Sequence, residues 1–463
     1  MSDVLRAAVV GAGPSGFYAT DQLLKAGFDV DLLEVLPTPF GLVRAGVAPD
    51  HPKIKSVTRM YEKTAQHPQF RFFGGVELGS HVGRGDLLER YHVVLYAVGT
   101  SADNRLGIPG EDRPGSHAAT EFVAWYNGHP DYADFDFDLA ATRAVVVGNG
   151  NVAVDVARML VLAPEEIAVT DTADHAVGPL GAAQVHEVIV LGRRGPAQAA
   201  FTTPELRELG ELTRADIVVD PAELELDPAS EAWLASDAAD TTARRNVELL
   251  REYSRREPRG HERRVELRFL RSPVEILGEG EDGPVTGVRV ARNRIEAAPD
   301  GRLRAVPTGE EEVIACSLVL RSIGYRGVPL AGIPFDERRG LIRNHAGRVI
   351  DESGTHQRGE YVVGWVKRGP SGVIGTNKKD ASDTVARILE DREAGTLNVP
   401  ADPSPESCAA WLAEQCPSLI TWEGWRAIDE HESALGAPQG RPRVKLVRTG
   451  EMFEVADAAL QRR

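Results

Sequence analysis

The sequence predicts an α/β fold with two dinucleotide-binding (Rossmann-like) domains, one inserted into the other. Three observations support this. Near the start, Val9-Val10-Gly11-Ala12-Gly13-Pro14-Ser15-Gly16 carries a β-branched run into a Gly-x-Gly-x-x-Gly turn. Residues 144–155 repeat the pattern as Ala-Val-Val-Val-Gly-Asn-Gly-Asn-Val-Ala-Val-Asp. The turns Ala97-Val98-Gly99-Thr100 and Ser322-Ile323-Gly324-Tyr325 match each other across the interval that holds the second motif. The expected domains are therefore 1–106, an inserted 107–325, and 326–463, which completes the first domain and adds a C-terminal extension.

In the first motif, Gly11, Gly13 and Gly16 permit a tight turn and close approach of backbone to a pyrophosphate, which sits on a helix N-terminus. That helix is expected to run to about Ala26, and the next strand, Phe28 to Leu33, leads into Glu34. An acid at this place accepts hydrogen bonds from an unphosphorylated ribose and repels a 2′-phosphate. This half suits FAD or NAD.

The second motif has the opposite sign. Its turn offers Asn149, Gly150, Asn151 and Val152, and the following strand, Glu187 to Gly192, ends in Arg193-Arg194. Two guanidiniums at that place match a ribose 2′-phosphate, so this half suits NADP. Opposite ribose readers in one chain indicate a pyridine-nucleotide flavoprotein.

Bulk properties narrow the class. The net charge of −16 over 463 residues argues against a nucleic-acid partner and makes basic patches conspicuous. No apolar run is long enough to span a bilayer and no signal peptide precedes the first strand, which predicts a cytoplasmic protein. Cys316, Cys408 and Cys416 form no Cys-x-x-Cys, so neither a metal site nor a redox dithiol is expected. Cys316 is expected as a buried thiol in an apolar strand from Val313 to Ile323.

Between the motifs, a loop from Leu36 to Lys53 precedes a helix expected to reach about Ala65. Asp50 reads as its N-cap, with Pro52 just inside the start; His51 reads either as part of that cap or as a group for proton traffic. Phe70 to Val76 and Tyr91 to Thr100 read as strands. Near the end of the core, Tyr361-Val362-Val363-Gly364-Trp365 enters a glycine-rich turn through Gly369, Gly372 and Gly375, then a helix to about Leu389. That turn aims a helix N-terminus at its neighbour, useful beside the negative charge of a reduced flavin.

On these segments the chain resembles the adrenodoxin reductase family of ferredoxin–NADP⁺ reductases, and its actinobacterial members in particular. The stretches that carry the resemblance are Pro39 to Pro52, Gly148 to Asp155, Gly192 to Pro196, Gln198 to Thr202 and Gly364 to Gly372. They reach from the start to about residue 390. The resemblance implies FAD against Ser15, Glu34, Leu42, Leu78, Trp365 and Gly372-Val373-Ile374. It implies NADP against Asn149 to Val152, Arg193, Arg194, Glu205 and Gly372. Glu205 has a second reading as a capping acid in the first turn of a helix opened by Thr202-Thr203-Pro204. His51 and Glu205 are the candidate catalytic residues.

The implied reaction moves a hydride from NADPH to flavin N5 and single electrons onward to a small iron–sulfur protein, a ferredoxin. An arginine-rich run supplies a docking candidate: Arg244, Arg245, Arg251, Arg255, Arg256, Arg259, Arg263, Arg264, Arg268 and Arg271, with five interleaved glutamates. Its bland reading is a solvated helix laced with ion pairs. Rival functions are an NADPH-dependent disulfide reductase, which the cysteine spacing disfavours, an oxidase or monooxygenase, and a flavoprotein subunit of a larger complex.

Overall fold

The computed structural model describes residues 4–299, 302–372 and 374–461. The chain divides into two compact units, Met1–Asn104 with Gly324–Arg463, and Arg105–Ile323; the sequence placed its boundaries at 106 and 325.

Among the described residues, the outer unit is built on a seven-stranded sheet. Its order is Asn344–His345, Arg348–Ile350, His356–Val362, Val93–Tyr96, Arg6–Val10, Asp29–Glu34, Phe70–Gly74. The last five are parallel, and the first two add an antiparallel edge. Continuous apolar runs suit strands covered on both faces, and Ala7, Ala8, Val9, Val93, Val94 and Leu95 are fully buried. Helix Pro14–Lys25 starts on Pro14, whose missing N–H costs nothing in the first turn. Beyond residue 400, helices Pro405–Gln415, Trp422–Gly436 and Thr449–Leu460 pack onto this unit. Trp422 and Trp425 join Phe17, Phe40, Tyr61 and Phe70 in an aromatic cluster.

The inner unit carries a six-stranded parallel sheet in the order Ser116–Ala118, Leu318–Arg321, Arg143–Val147, Glu187–Leu191, Arg263–Arg268, Ala215–Val219. A three-stranded antiparallel sheet follows, Arg271–Gly278, Val285–Ala297 and Leu303–Ala315. Among the described residues no helix is long and apolar enough to cross a membrane.

Several local expectations need correction. The helix after the Pro39–Lys53 loop is two short pieces, Pro52–Lys55 and Thr58–Thr64. Its N-cap is His51, not Asp50, and the His51 side chain makes no capping hydrogen bond. The strand expected from Val313 to Ile323 is two strands, ending at Ala315 and restarting at Leu318. Cys316 sits in the gap, buried, and burial pushes its thiol up to about 12. The strands read as Phe70–Val76 and Tyr91–Thr100 contract to Phe70–Gly74 and Val93–Tyr96. The arginine-rich run is not one helix but helix Thr241–Tyr253, a loop and strands Arg263–Arg268 and Arg271–Gly278.

Candidate nucleotide-binding sites

In the outer unit the first glycine turn is held from three sides. Gly11 has φ +108, and a Cβ there would lie 2.6 Å from the Ala97 carbonyl oxygen. On Gly16 it would lie 2.0 Å from the Gly11 carbonyl oxygen. Neither position accepts a side chain. Helix Pro14–Lys25 has Gly13 as N-cap with no side-chain cap, so its first N–H groups keep their polarity for a ligand. Gly364 (φ +80) approaches so closely that a Cβ would meet Ser15 Oγ at 2.3 Å. The Gly364–Trp365 turn therefore meets the start of that helix.

Glu34 ends the second strand, buried. Its Oε2 accepts from Ala12 N at 2.7 Å and its Oε1 from Leu36 N at 3.2 Å. Burial pushes its carboxyl above the ordinary carboxylate range, and the N–H groups of Ala12, Leu36 and Val35 offset only part of that. Phe40 N donates to Ala12 O at 2.9 Å, which brings the half-buried Leu42 beside the same turn. Leu78 packs, half-buried, against the sheet face that includes Val10 and Leu33.

Trp365 is half-buried against Tyr325, and its Nε1 is buried without an acceptor among the described residues. Sequence reasoning missed Asp380, which organises this turn. Its Oδ2 accepts from Gly364 N at 2.6 Å and its Oδ1 from Lys367 Nζ at 2.7 Å. The available signal was a lone acid one turn into the helix that follows the glycines. Gly372 (φ +80) is exposed just before helix Thr376–Glu393, Ile374 packs on the core, and Val373 lies outside the described residues.

The inner unit repeats the turn with different surroundings. A Cβ on Gly148 (φ +120) would lie 2.0 Å from the Ser322 carbonyl oxygen. Gly150 is the uncapped start of helix Asn151–Met159. Asn149 O accepts from Ala200 N at 3.2 Å and Asn151 Oδ1 from Thr202 N at 2.8 Å, so the Ala200–Thr202 segment is tied to the turn. Asn246, also missed, pins it from behind by donating to Phe201 O at 2.9 Å and accepting from Thr203 Oγ1 at 2.7 Å. Val152 is half-buried against the core.

Arg193 and Arg194 follow the strand Glu187–Leu191, exposed and with no carboxylate partner among the described residues. Although much of its surface is open, partial desolvation of the Arg194 guanidinium, and to a lesser degree the Arg193 charge, holds it below its ordinary value. Their loop is set by Asn293, whose Nδ2 donates to Arg193 O at 2.9 Å, and by Leu270 N donating to Arg194 O at 3.1 Å. The inner unit also has a cleft of about 1210 Å³ lined by Arg143, Glu187, Asp216, His261 and Arg264. It opens at the N-terminal ends of the parallel strands, whereas ligands of such sheets sit at the C-terminal ends. It is not the nucleotide site.

A family model described as pyridine nucleotide-disulphide oxidoreductase matches residues 5–189. The chain is 49% identical over 459 residues to the NADPH-ferredoxin reductase FprA of Mycobacterium tuberculosis, spanning 97% of this chain and 98% of that protein. It is 40% identical over 464 residues to the mitochondrial NADPH:adrenodoxin oxidoreductase of Arabidopsis thaliana, spanning 98% and 95%. The solved structure of Mycobacterium tuberculosis FprA in complex with NADPH matches with a TM-score of 0.91 at 49% identity, over 98% of this chain and 99% of that one.

The chain belongs to the NADPH–ferredoxin reductase family.

The residues present fit the family's nucleotides. A cradle closed to any Cβ at Gly11 and Gly16, an uncapped helix start, a buried acid and an orphaned indole N–H suit FAD in the outer unit. A like cradle with two arginines that have no carboxylate partner among the described residues suits NADP in the inner one. The "disulphide" of the family-model description does not carry over, since Cys316, Cys408 and Cys416 are free and buried.

Two expectations for this reductase fare differently. Helix Thr203–Gly210 opens at Thr202 with Glu205 as a buried acid in its first turn, as the second reading had it, while the Thr202 side chain makes no cap hydrogen bond. Most of the arginine run is already committed. Arg244 donates to Leu234 O and Ser236 O, Arg259 to Gly210 O, and Arg263 to Leu160 O and Ala183 O. Arg256 pairs with Glu252, Arg264 with Glu187, and Arg268 and Arg271 with Glu223 and Glu312. Arg245, Arg251 and Arg255 remain exposed and without an acidic partner among the described residues.

Proposed function

We propose that this protein is an FAD-dependent NADPH–ferredoxin reductase of the cytoplasm. FAD, when bound, would supply a two-electron acceptor for the hydride of NADPH and a one-electron donor for ferredoxin. The observation that carries the reading is the pair of closed glycine cradles whose ribose readers have opposite sign, buried Glu34 and exposed Arg193-Arg194.

The chain's own groups bind and orient. The Gly11–Gly16 turn and the helix start at Pro14 hold the FAD pyrophosphate, and Glu34 accepts from the adenosine ribose. Ser15, Leu42, Leu78, Trp365, Gly372 and Ile374 line the rest. Asn149 to Val152 hold the NADP pyrophosphate, and Arg193 and Arg194 hold the 2′-phosphate. Glu205 contacts the nicotinamide side and His51 is the available proton carrier. Ferredoxin, an acidic partner, is steered by Arg245, Arg251 and Arg255.

The test is a visible absorption spectrum of the purified protein under an anaerobic NADPH titration, followed by a cytochrome c assay with and without ferredoxin. Flavin bleaching by NADPH and ferredoxin-dependent cytochrome c reduction are expected. NADPH consumption that is coupled to oxygen and indifferent to ferredoxin would replace this reading with an oxidase.

A further inference from the structure

The C-terminal helices reach the loop after the second strand through a buried carboxylate as well as through Trp422 and Trp425. Glu432, on helix Trp422–Gly436, is fully buried. It takes a two-pronged contact from Arg44, whose Nη1 donates to Oε2 at 2.9 Å and Nη2 to Oε1 at 2.5 Å. Arg443 Nη1 donates to Oε2 at 3.2 Å and Leu446 N to Oε1 at 2.8 Å, so both oxygens are saturated. Lys445 Nζ closes the ring by donating to Arg44 O at 3.1 Å, and the Arg44 guanidinium lies over Trp425, 5.4 Å from its ring centroid.

What these contacts hold is not relaxed. Arg44 belongs to the short helix Leu42–Ala45, which follows Phe40 and Gly41. Phe40 has φ +85, a left-handed conformation that costs a non-glycine residue energy and persists only where its surroundings impose it. The Phe40 ring packs edge-on against Trp425 at 5.5 Å and Trp422 at 6.3 Å. On the other side, Phe40 N bonds Ala12 O, and a Cβ on Gly41 would meet Gly13 Cα at 3.0 Å. The strained pair therefore lies between the glycine turn and the C-terminal helices.

We propose that Glu432 is a positioning residue for the flavin: through Arg44, with Trp425 against Phe40, it holds residues 40–44 in the conformation that the bound cofactor requires. The proposal rests on the assignment of FAD to this unit. It gives the segment beyond residue 400, which carries no nucleotide motif, a part in the reaction. Arg443 shares the carboxylate but lies outside the 40–44 segment, so it separates positioning from mere stability.

The holoenzyme tests this with the isosteric Glu432→Gln, Arg44→Lys, which keeps charge but loses the planar fork, and Arg443→Gln. FAD release is read from the fluorescence of freed flavin, and the bound flavin from its visible circular dichroism. Glu432→Gln and Arg44→Lys are each expected to release FAD on the order of ten-fold faster with an altered flavin spectrum, and the double variant no faster than either alone. Arg443→Gln, which leaves the Arg44 fork and the Leu446 N contact in place, is expected to lower the melting temperature and to change each flavin readout less than Glu432→Gln does. Wild-type release and spectrum in Glu432→Gln, or strictly additive effects in the double variant, would overturn the proposal; if Glu432→Gln does not fold, Arg44→Lys decides alone. Glu34→Gln is the control: if it also retains FAD normally, the assignment of FAD falls, whereas if it alone loses FAD, only the role of Glu432 falls.

Discussion

The two glycine turns are near copies in backbone and opposites in what surrounds the end of their second strand. In the outer unit it is one acid, buried and anchored by Ala12 N and Leu36 N, one to each oxygen, which leaves a lone pair on each. In the inner unit it is two exposed arginines with no counterion among the described residues. A carboxylate locked into the fold suits a cofactor that stays, since ligand and protein then share one hydrogen-bond network. Unpaired surface guanidiniums suit a substrate that must arrive and leave, because their attraction acts at a distance and needs no rearrangement. Under the proposed assignment, one turn geometry serves residence in one place and exchange in the other.

The strongest way to break this comparison is Glu34→Ala. It removes the ribose acceptor and also strips Ala12 N and Leu36 N of their partner, so FAD affinity should fall by about two decades or more. Flavin content of the purified variant and its melting temperature with added FAD measure this. Full FAD content with weakened NADPH binding would mean the two sites are exchanged.

Next in size, Arg193→Ala or Arg194→Ala should each weaken NADPH by about one to two decades, from roughly 1.5–3 kcal/mol per charge-assisted phosphate contact. NADH should be little affected, and FAD content not at all. Equal losses for both nucleotides would remove the 2′-phosphate assignment.

Charge reversal at Arg245, Arg251 or Arg255 is expected to raise the KM for ferredoxin several-fold. The effect should shrink as ionic strength rises from about 0.01 to 0.15 M and the screening length falls from roughly 30 to 8 Å. Ferricyanide reduction should stay near normal. Arg244 is unsuitable for this test because it caps the carbonyls of Leu234 and Ser236. Unchanged ferredoxin kinetics in all three variants would move docking elsewhere.

The smallest effect is a pH dependence that separates two buried acids of the outer unit, Glu34 and Glu432. Burial alone would push the Glu432 carboxyl up, but Arg44 and Arg443 hold it below the ordinary range. Its stabilising contribution is therefore present above the unfolded value, about 4.3, and lost as pH falls through the folded value. Glu34, raised by burial, works the other way: its contribution is present below the unfolded value and lost as pH rises through the folded one. The melting-temperature gap between wild type and Glu432→Gln should therefore narrow on acidification below about pH 4. A gap constant with pH would exclude ionisation of Glu432 as its source.

The nucleotide turns were legible in the sequence because they depend on local chemistry: glycine where a Cβ would collide with a carbonyl, and charge at the end of a buried strand. The groups that hold those turns were not. Asn246, Asn293 and Glu432 act across long stretches of chain, and nothing in their neighbours announces a partner; Asp380, closer to its turn, offered only a lone acid. Positive charge in the arginine run was plain, yet its meaning depended on which guanidiniums the fold had already engaged, and Arg263 turned out to be buried against two carbonyls. The break at Cys316 escaped because apolar periodicity continues through it while the hydrogen-bonded ladder does not.

The junction between the units also bears on how the chain is made. Ala102–Asp103 pairs with Tyr325–Arg326, and Asn104 N donates to Gly324 O at 2.9 Å, so the points where the chain leaves and re-enters the outer unit are joined side by side. The central strand Val93–Tyr96 has His356–Val362 as a neighbour, which the ribosome delivers only after the whole insert. During synthesis, the inner unit is complete once Ile323 has emerged, while the sheet that begins the chain still lacks a central strand. The second unit in sequence is thus the first able to fold, and the first must wait for its own far end.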